Sequence, residues 1–192
     1  MARLLVALLA LAVAACSSVP RGPGGQVLTS AHLDAFQLAG SIGVRVEKES
    51  FPGRVRWTHE PSRDELWFYS PVGTAVAHLV QTPEGALLVD EKGQEHRAAT
   101  LESLASGVLG WDLPLQGLPY WVRGLPWPAG DAAQVERDAQ GRAVALQQSG
   151  WKITYLAWFG DGPEALPARL DVVGARLRLK LAVQRWEMVD VR

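Results

Sequence analysis

The chain has 192 residues and a formal net charge of −1, and this length suits one domain with a sizeable core. Hydrophobic residues make up 48% of it and charged residues 20%, an ordinary globular balance, and the near-neutral charge gives no electrostatic case for binding nucleic acid. Because Cys16 is the only cysteine, disulfide bonds within the folded chain are excluded.

The first stretch, MARLLVALLALAVAAC, has one positive charge at Arg3 followed by an unbroken run of Leu, Ala and Val. The run is too short to span a bilayer as a helix, which takes about 20 residues. It therefore predicts a secretory signal peptide over residues 1–15. The last four residues, VAAC, resemble the bacterial lipobox, whose cysteine is lipidated and becomes the first residue of the mature protein.

We therefore expect Cys16 to be the lipidation site, which would hold the protein stably on a membrane. The alternative is ordinary cleavage after Ala14, which would leave Cys16 as a free thiol. Ser17 stands where the bacterial sorting pattern has Asp in lipoproteins that stay at the inner membrane. The resemblance therefore implies the outer membrane. The following residues are rich in Gly, Pro and Ser, and predict that residues 16–30 are a lipidated N-terminus and flexible tether.

Residues 31–192 read as a single domain, in which apolar and polar residues alternate over many short segments. Turn signals of hairpin length separate most of these segments, so the sheet should be antiparallel, and this many strands must curl or close. About eleven strands are predicted, at 36–47, 53–59, 65–69, 75–81, 86–90, 95–98, 134–137, 143–148, 151–158, 170–173 and 176–183.

The segment 101–128 breaks this alternation and predicts two short helices. Thr100 is a candidate N-cap for the first helix, and the second begins near Pro114 and ends at Gly124. Apolar residues follow one stripe of each helix: Leu101, Leu104, Val108, Leu109, Leu115, Leu118, Trp121 and Val122. Because such a pair must bury its stripe against the sheet, we interpret it as a lid. The space beneath a lid need not be filled, and an unfilled apolar cavity is suited to lipid tails.

Several segments, in order, resemble the LolB family, the outer-membrane lipoprotein receptors of Gram-negative bacteria. They are VAAC ending at Cys16, GSIGV at 40–44, Trp57, SPVG at 70–73, PLQGLPYWVRGLP at 114–126, GWKITY at 150–155, LPARL at 166–170, RLKL at 178–181 and Trp186. The resemblance implies an unclosed antiparallel β-barrel with a short helical lid enclosing an apolar cavity.

The resemblance also implies a function. Members of this family take lipoproteins from a soluble, LolA-like periplasmic carrier, hold the acyl chains of this cargo and insert it into the outer membrane. We accordingly expect a monomer, anchored to outer-membrane lipid through acylated Cys16 and facing the periplasm, that needs no cofactor or metal and binds no nucleic acid.

Two sets of site residues follow from the resemblance and the strand pattern. The turn Pro71, Val72 and Gly73 is expected to insert into the membrane, although family members commonly have Leu where this chain has Val72. The acyl-cavity candidates are the inward apolar residues Leu38, Ile42, Val44, Trp57, Leu66, Leu104, Leu115, Trp121, Leu177 and Leu179.

Plainer interpretations stay open for several of these residues. Trp57, Trp151 and Trp186 are also typical of a packed core, Trp121 of a packing anchor, and Val72 of an ordinary turn. The row Arg176, Arg178 and Lys180 is typical of a solvated face, with docking to an acidic partner or lipid headgroups as the alternative.

The residues give little support for an enzyme. The four histidines have no metal-ligand spacing, no nucleophile-elbow motif is present, and the acids are not recognisably paired. A structural lipoprotein with a packed interior is the main alternative function. A soluble lipid carrier of similar fold is another, and a lipidated Cys16 argues against it.

Overall fold

In the computed structural model, the residues described are 19–109 and 115–189. The alternating segments form eleven strands, all in one sheet. The strands are β1 (Phe36–Val46), β2 (Glu49–Glu60), β3 (Arg63–Tyr69), β4 (Ala75–Thr82), β5 (Gly85–Asp90), β6 (Glu95–Ala98), β7 (Gln134–Arg137), β8 (Ala143–Gln148), β9 (Trp151–Phe159), β10 (Leu166–Val173) and β11 (Leu177–Met188).

The sheet is antiparallel throughout, with the order β6-β5-β4-β3-β2-β1-β11-β10-β9-β8-β7. Since β6 and β7 are the two edges and no ladder among the described residues joins them, the barrel is unclosed. The predicted fold class is confirmed. Only one pairing is distant in sequence: β1 lies between β2 and β11, and so ties the two ends of the chain together.

The core begins at this central strand. Phe36 packs edge-on against Trp57 of β2 and Trp186 of β11, with ring centroids 5.3 and 5.2 Å away. One parity of β1 and β11 is largely buried, including Leu38 and Val44 on β1 and Leu179 and Leu181 on β11, while the other parity is half-buried or exposed. The concave face of the sheet is therefore apolar, as alternation requires.

The strand bounds differ from the predicted ones mainly at the C-terminal end. β10 begins at Leu166 rather than residue 170, and β11 continues to Met188 rather than ending at 183. The pairing of β10 with β9 shifts register between Pro167 and Leu170, which disrupts the alternation there. A pattern read with a strict period of two cannot follow a strand through such a bulge.

The lid is shorter in regular structure than predicted. Its helices are α1 (Leu101–Leu104), continued by a π-helical turn (Ala105–Leu109), and α2 (Leu118–Trp121). The predicted N-cap is confirmed, because the Ser103 amide donates to Thr100 Oγ1 over 3.1 Å. Trp111 and the predicted start of the second helix at Pro114 lie outside the described residues. Helix α2 instead begins at Leu118, with Pro119 in its first turn.

The strand ends define two ends of the barrel. We call the end with the turns at 47–48, 70–74, 91–94, 149–150 and 174–176 the tip, and the end with the turns at 60–62, 82–85, 138–142 and 160–165 the base. The chain enters at the base, where the Ser30 amide donates to the Glu164 carbonyl over 3.0 Å. Two short 3₁₀ turns, Pro23–Gly25 and Ser30–His32, lie in this N-terminal segment.

The expected signal peptide over residues 1–15 and the expected lipidation site Cys16 lie outside the described residues. Part of the expected tether is packed against the barrel, because Leu28 and Ser30 are buried and Arg21 forms a β-bridge with Val27. The segment was predicted to be a flexible tether because it is rich in Gly and Pro. Its one leucine, Leu28, is nevertheless buried against the base of the barrel, and this contact fixes the end of the segment to the domain.

Candidate functional site

A pocket lined entirely by apolar and aromatic side chains lies between the concave face of the sheet and the lid. Its volume is about 40 Å³. The lining residues come from both halves of the barrel and from the lid: Leu38, Ile42, Val44, Val55, Trp57, Leu66, Phe68, Leu115, Leu118, Val122, Leu179 and Leu181. Such a lining offers dispersion contacts and no hydrogen bond, so the only ligand it can favour is an apolar one.

Seven of the ten acyl-cavity candidates line this pocket, namely Leu38, Ile42, Val44, Trp57, Leu66, Leu115 and Leu179. The other three, Leu104, Trp121 and Leu177, are buried elsewhere in the same core. Val55, Phe68, Leu118, Val122 and Leu181 also line the pocket without having been singled out. Their signal was present in the sequence, because they share strand parity or the helical stripe with the residues named.

The pocket is small for a lipid chain. A water molecule occupies about 30 Å³ in the liquid, whereas pockets for small molecules usually measure about 300–1,000 Å³. A space of about 40 Å³ is therefore almost filled by the surrounding side chains. Any acyl chain that enters must displace part of the lid.

A second pocket of about 200 Å³ adjoins the first under the N-terminal half of the lid. The two share Trp57, Leu66 and Leu115 in their linings. The second pocket is more polar, since its lining also includes Asp64, Gln81, Thr100, Leu101, Glu102 and Gln116. Leu115 stands between the apolar interior and this polar rim, so movement of the segment around it would join the two spaces.

The C-terminal half of the lid is fixed to the barrel by buried hydrogen bonds. The Tyr155 hydroxyl donates to the Trp121 carbonyl over 2.9 Å, and Trp121 Nε1 donates to Gln148 Oε1 over 3.0 Å. Arg123 Nε donates to the Pro119 carbonyl over 2.8 Å, and its Nη1 to the Leu33 carbonyl over 2.9 Å. Burial raises the pKa of the Tyr155 hydroxyl far above its ordinary value, so it stays a donor.

Two further hydrogen bonds involve described residues in the N-terminal half of the lid. The Leu101 amide donates to Gln81 Oε1 over 2.8 Å, which fixes the start of α1. The Gln116 amide donates to Glu102 Oε1 over 3.1 Å at an exposed position. The bond between Gln116 and Glu102 is solvent-accessible, so water can replace it at little cost.

Two buried polar residues in this network were not singled out from the sequence. Gln148, at an inward position of β8, accepts from the Trp127 amide over 2.8 Å in addition to Trp121 and donates to the Trp127 and Asp131 carbonyls. Arg123 follows directly after the lid's apolar stripe. For Gln148 the available signal was a polar residue where the strand period demands an apolar one, which indicates a hydrogen-bonding task. Arg123 lies outside the stripe and gave no such signal.

Trp57 is oriented by a carboxylate at the rim. Asp64 Oδ1 accepts hydrogen bonds from Trp57 Nε1 over 2.7 Å and from His59 Nδ1 over 2.8 Å. This arrangement turns the polar edge of the indole toward the second pocket and leaves its apolar face to the first. Trp186 is likewise a core residue, with Nε1 donating to the Pro167 carbonyl over 3.2 Å, and Trp151 is half-buried beside Trp121.

Val72 lies at the tip and is 89% exposed, in contrast to the buried valines of the core. The turn that carries it is closed on both sides, because the Gly73 amide donates to the Ser70 carbonyl over 2.9 Å and the Ser70 amide to the Thr74 carbonyl over 2.8 Å. Gly73 has φ 93°, a conformation that favours glycine. An apolar side chain is therefore presented to solvent by a hydrogen-bonded turn.

The basic row is on the outer face of the sheet. Arg176 Nη2 donates to Glu47 Oε1 over 2.6 Å across the turns of the tip, while Arg178 and Lys180 are exposed along β11. Within residues 19–109 and 115–189 there is no cluster of three His, Cys, Asp or Glu side chains that would hold a metal ion. No helix in that same part of the chain is both long and apolar enough to cross a membrane.

Comparison with known proteins adds to this geometry. The sequence profile of the family described as "Outer membrane lipoprotein LolB" matches residues 34–186. A relative from Thiobacillus denitrificans named Outer-membrane lipoprotein LolB is 36% identical over 184 residues, covering 95% of this chain and 96% of that protein. Another of the same name, from Nitrosomonas europaea, is 34% identical over 156 residues, covering 80% and 73%.

Among solved structures, a domain from Vibrio parahaemolyticus described as an outer membrane lipoprotein-sorting protein aligns over 78% of this chain and 84% of that domain. Its TM-score is 0.41 and its sequence identity 5%, and at that level the likeness supports no argument.

Proposed function

The chain belongs to the family of outer membrane lipoproteins LolB, and from that premise we propose that it is a receptor that inserts lipoproteins into the outer membrane. In this proposal it accepts acylated lipoproteins from a soluble, LolA-like periplasmic carrier. It holds their acyl chains beneath the lid and releases them into the bilayer. None of the names of these relatives is that of an enzyme, in agreement with the sequence analysis.

The observation that carries the proposal is the apolar lining of the pocket between the concave face and the lid. Transfer of an acyl chain from one protein to another needs a site that binds by apolar area alone, at about 25 cal/mol per Å² buried. The affinity of such binding should depend little on salt concentration or on the protein part of the cargo, because only the acyl chains are in contact with the pocket.

Entry of the acyl chain would begin at the N-terminal half of the lid. The bond between the Gln116 amide and Glu102 is exposed, whereas the bonds that join α2 to Tyr155 and Gln148 are buried. Separation of Gln116 from Glu102 would move Leu115 and unite the two adjoining pockets. The lid would thus hinge on α2, and the cavity would form as the cargo enters.

Release of the chain would take place at the tip. Val72 projects there. Phe51, which is 41% exposed, lies on β2 toward the same end, because Arg54 of β2 pairs with Tyr69, the last residue before the Val72 turn. Burying one valine contributes roughly 1.5 kcal/mol, enough to orient a protein already tethered to the membrane. Contact of the tip with lipid would shorten the path of the acyl chains through water.

The anchor would be acylated Cys16, with the monomeric receptor on the outer membrane and facing the periplasm. Each buried CH₂ of an acyl chain contributes about 0.8 kcal/mol, so two or three chains bind stably. The segment after Cys16 reaches the barrel at its base, while Val72 is at the tip. β3 alone separates the two ends by about 23 Å at ~3.3 Å per residue. The N-terminal segment would therefore detach from the base when the tip meets the same bilayer.

A second candidate function is favoured by the size of the pocket. A volume of about 40 Å³ also suits a structural outer-membrane lipoprotein whose interior is packed. The apolar probe N-phenyl-1-naphthylamine separates the two, because a receptor with a displaceable lid takes it up and gains fluorescence while a packed core excludes it.

The proposal is tested by site-specific photo-crosslinking. A photoreactive residue at Ile42, Leu104 or Leu179 should capture acylated cargo delivered by the carrier and ignore the same cargo without its acyl chains. The matched controls are Arg45 and Arg178, which lie on the same strands and face solvent. Equal capture of both cargo forms, or equal capture at the outward positions, would show that the chains do not bind under the lid.

A further inference from the structure

A separate pocket of about 290 Å³ lies at the base of the barrel. It shares no lining residue with the apolar pocket beneath the lid. Its walls come from the N-terminal segment at residues 30–31, from the segment after α2, from β7, β8 and β9, and from the turn between β9 and β10. Two arginines, Arg123 and Arg137, line it together with apolar residues such as Leu125 and Pro163. A mixed pocket of this kind is suited to an anion that has an apolar part.

Arg123 has unused hydrogen-bond donors at this pocket. Its side chain is 4% exposed, and its Nε and Nη1 donate to the Pro119 and Leu33 carbonyls. Nη1 also lies 3.2 Å from Asp34 Oδ1, a carboxylate that projects into solvent. Nη2 has no acceptor among the residues that the structure describes. A guanidinium has five N–H donors in a planar fork, and a buried one with free donors is suited to a phosphate or carboxylate.

The second arginine adds a further guanidinium group to the site. Arg137 is exposed and is fixed by a bond of 2.8 Å from Nη1 to the Gly141 carbonyl. Glu164 is the one acidic residue in the lining, and Arg142 nearby is neutralised by Asp138 at 2.8 Å. With Asp34 on Arg123 and Glu164 in the lining, the two guanidinium groups are matched by two carboxylates, so the preference for a phosphate rests on the unused donors of Arg123 rather than on an excess of positive charge.

The position of the pocket indicates the source of the anion. The lining turn at 163–165 follows Gly160, where an added Cβ would lie 3.8 Å from the Val19 side chain. Cys16 precedes Val19 by three residues, a reach of about 10 Å at most. If Cys16 is acylated, as the proposed function requires, the base is the end of the barrel nearest the bilayer at rest. Phospholipid phosphates lie at that surface.

We propose that this basal pocket binds the phosphate group of a phospholipid, with Arg123 Nη2 and Arg137 as donors and with Leu125, Pro163 and Ala165 against the lipid's glycerol and first methylenes. Only the choice of a membrane lipid rests on the proposed function. The phosphate chemistry rests on the pocket itself. Binding there would hold the base on the membrane and leave the tip and the lid accessible to the carrier.

The experiment is calorimetric titration of the full mature chain in neutral detergent at constant ionic strength. The probes are dihexanoyl phosphatidylglycerol, inorganic phosphate, and dihexanoylglycerol, which has the same chains without the phosphate. We expect the phosphatidylglycerol to bind at least tenfold more tightly than inorganic phosphate, and at least tenfold more tightly than dihexanoylglycerol, whose chains can enter only the apolar pocket beneath the lid. Inorganic phosphate that binds as tightly as the lipid would overturn the assignment to a phospholipid.

Three variants test the site without removing the buried Arg123, whose loss endangers folding. Arg137→Gln should weaken phosphatidylglycerol binding about fivefold or more, and Ala165→Trp should abolish it by filling the pocket with both arginines kept. Arg97→Gln, an exposed residue on β6, is the matched loss of charge and should bind as wild type does. Equal binding by all three overturns the proposal. A chain that binds phosphatidylglycerol but does not accept lipoproteins would instead contradict only the proposed function.

Discussion

Tyr155 and Trp121 join the barrel wall to the lid. The Tyr155 hydroxyl, on the inward face of β9, donates to the main-chain carbonyl of Trp121, the last residue of α2, over 2.9 Å. The same carbonyl also accepts from the Gly124 amide over 3.0 Å. The end of α2 is therefore fixed from two directions, and this makes it the natural pivot for the rest of the lid.

Tyr155→Phe should destabilise the protein by about 1 kcal/mol, the ordinary contribution of one hydrogen bond. The cost stays moderate because the Trp121 carbonyl keeps its bond from Gly124. The midpoint of urea denaturation measures it. Tyr69→Phe is the matched control, since the Tyr69 hydroxyl accepts from Arg56 Nη2 at an exposed position, and a change under about 0.5 kcal/mol is expected there. Equal effects of the two changes would refute a pivot at Tyr155.

Glu102→Ala should speed the uptake of N-phenyl-1-naphthylamine. The change removes the acceptor of the Gln116 amide and so lowers the free energy needed to displace residues 102–116. A bond at an exposed position contributes about 0.5–1 kcal/mol, which corresponds to a two- to fivefold faster rate. Stopped-flow fluorescence measures the rate. Glu95→Ala, which removes an exposed carboxylate from β6, should leave it unchanged.

Much of the fold was predictable because its dominant signal is local. The alternation of apolar and polar residues along β1 and β11 identifies the face of the sheet that is buried, and the hairpin turns indicate which strands are neighbours. The pairing of β1 with β11 was not predicted, because these strands are far apart in the sequence and alternation does not identify a distant partner. What alternation could not give was the start of β10, where Pro167 and the register shifts break the period, or the docking of Leu28 against the base.

The candidate site was less predictable than the fold. Strand parity places residues such as Ile42 and Leu179 on the concave face, but parity says nothing about how far the lid descends. The pocket volume depends on how closely Leu115 and Leu118 pack against the sheet, and the sequence pattern does not contain that distance. Gln148 was missed because it is a single exception within an apolar strand pattern, and Arg123 because it lies next to the apolar stripe and not in it.

Acid should weaken the protein partly through Glu65. A hydrogen bond from Arg63, followed by those from His78 and Trp67, holds the pKa of this carboxyl below its ordinary value, although burial opposes the shift. Because the unfolded chain then binds the proton more tightly than the folded one, Glu65 stabilises the fold above the ordinary carboxyl pKa. That contribution is lost as the pH falls through the lowered pKa.

Glu65→Gln should therefore flatten the fall in stability as the pH is lowered below the ordinary carboxyl pKa, as followed by urea midpoints at intervals of pH. Glu95→Gln, which removes the same charge from an exposed site on the neighbouring part of the sheet, is the control. If Glu65→Gln loses stability with falling pH as steeply as wild type does, the hydrogen bond from Arg63 does not lower the pKa of Glu65.

Cys16→Ala should abolish the proposed acyl anchor while the domain folds unchanged. Cys16 lies before the first residue that the structure describes, and a covalent lipid outside the core does not stabilise it. Intact-mass analysis of membrane-extracted wild type should show a chain that starts at Cys16 with added acyl mass. A Cys16→Ala protein that still fractionates as firmly with the outer membrane would contradict this role.

Val72 allows acceptance of cargo to be separated from its delivery. Acceptance requires only that the pocket under the lid hold acyl chains better than the carrier does. Delivery requires the chains to leave for a bilayer, and the Val72 turn presents its apolar side chain to solvent at the tip. A charged residue at that turn opposes insertion into hydrocarbon by a few kcal/mol. Changes at Val72 should therefore affect delivery alone.

Val72→Glu should still accept radiolabelled lipoprotein from the carrier but deliver it poorly to liposomes, so that loaded receptor accumulates. Val72→Leu should deliver at least as well as wild type, because leucine buries more apolar area. Thr74→Glu, in the same exposed turn, is the matched control for charge, and it should impair delivery less because its side chain is not the one at the apex. Normal delivery by Val72→Glu would mean that the turn is a connection between β3 and β4 and does not touch the membrane.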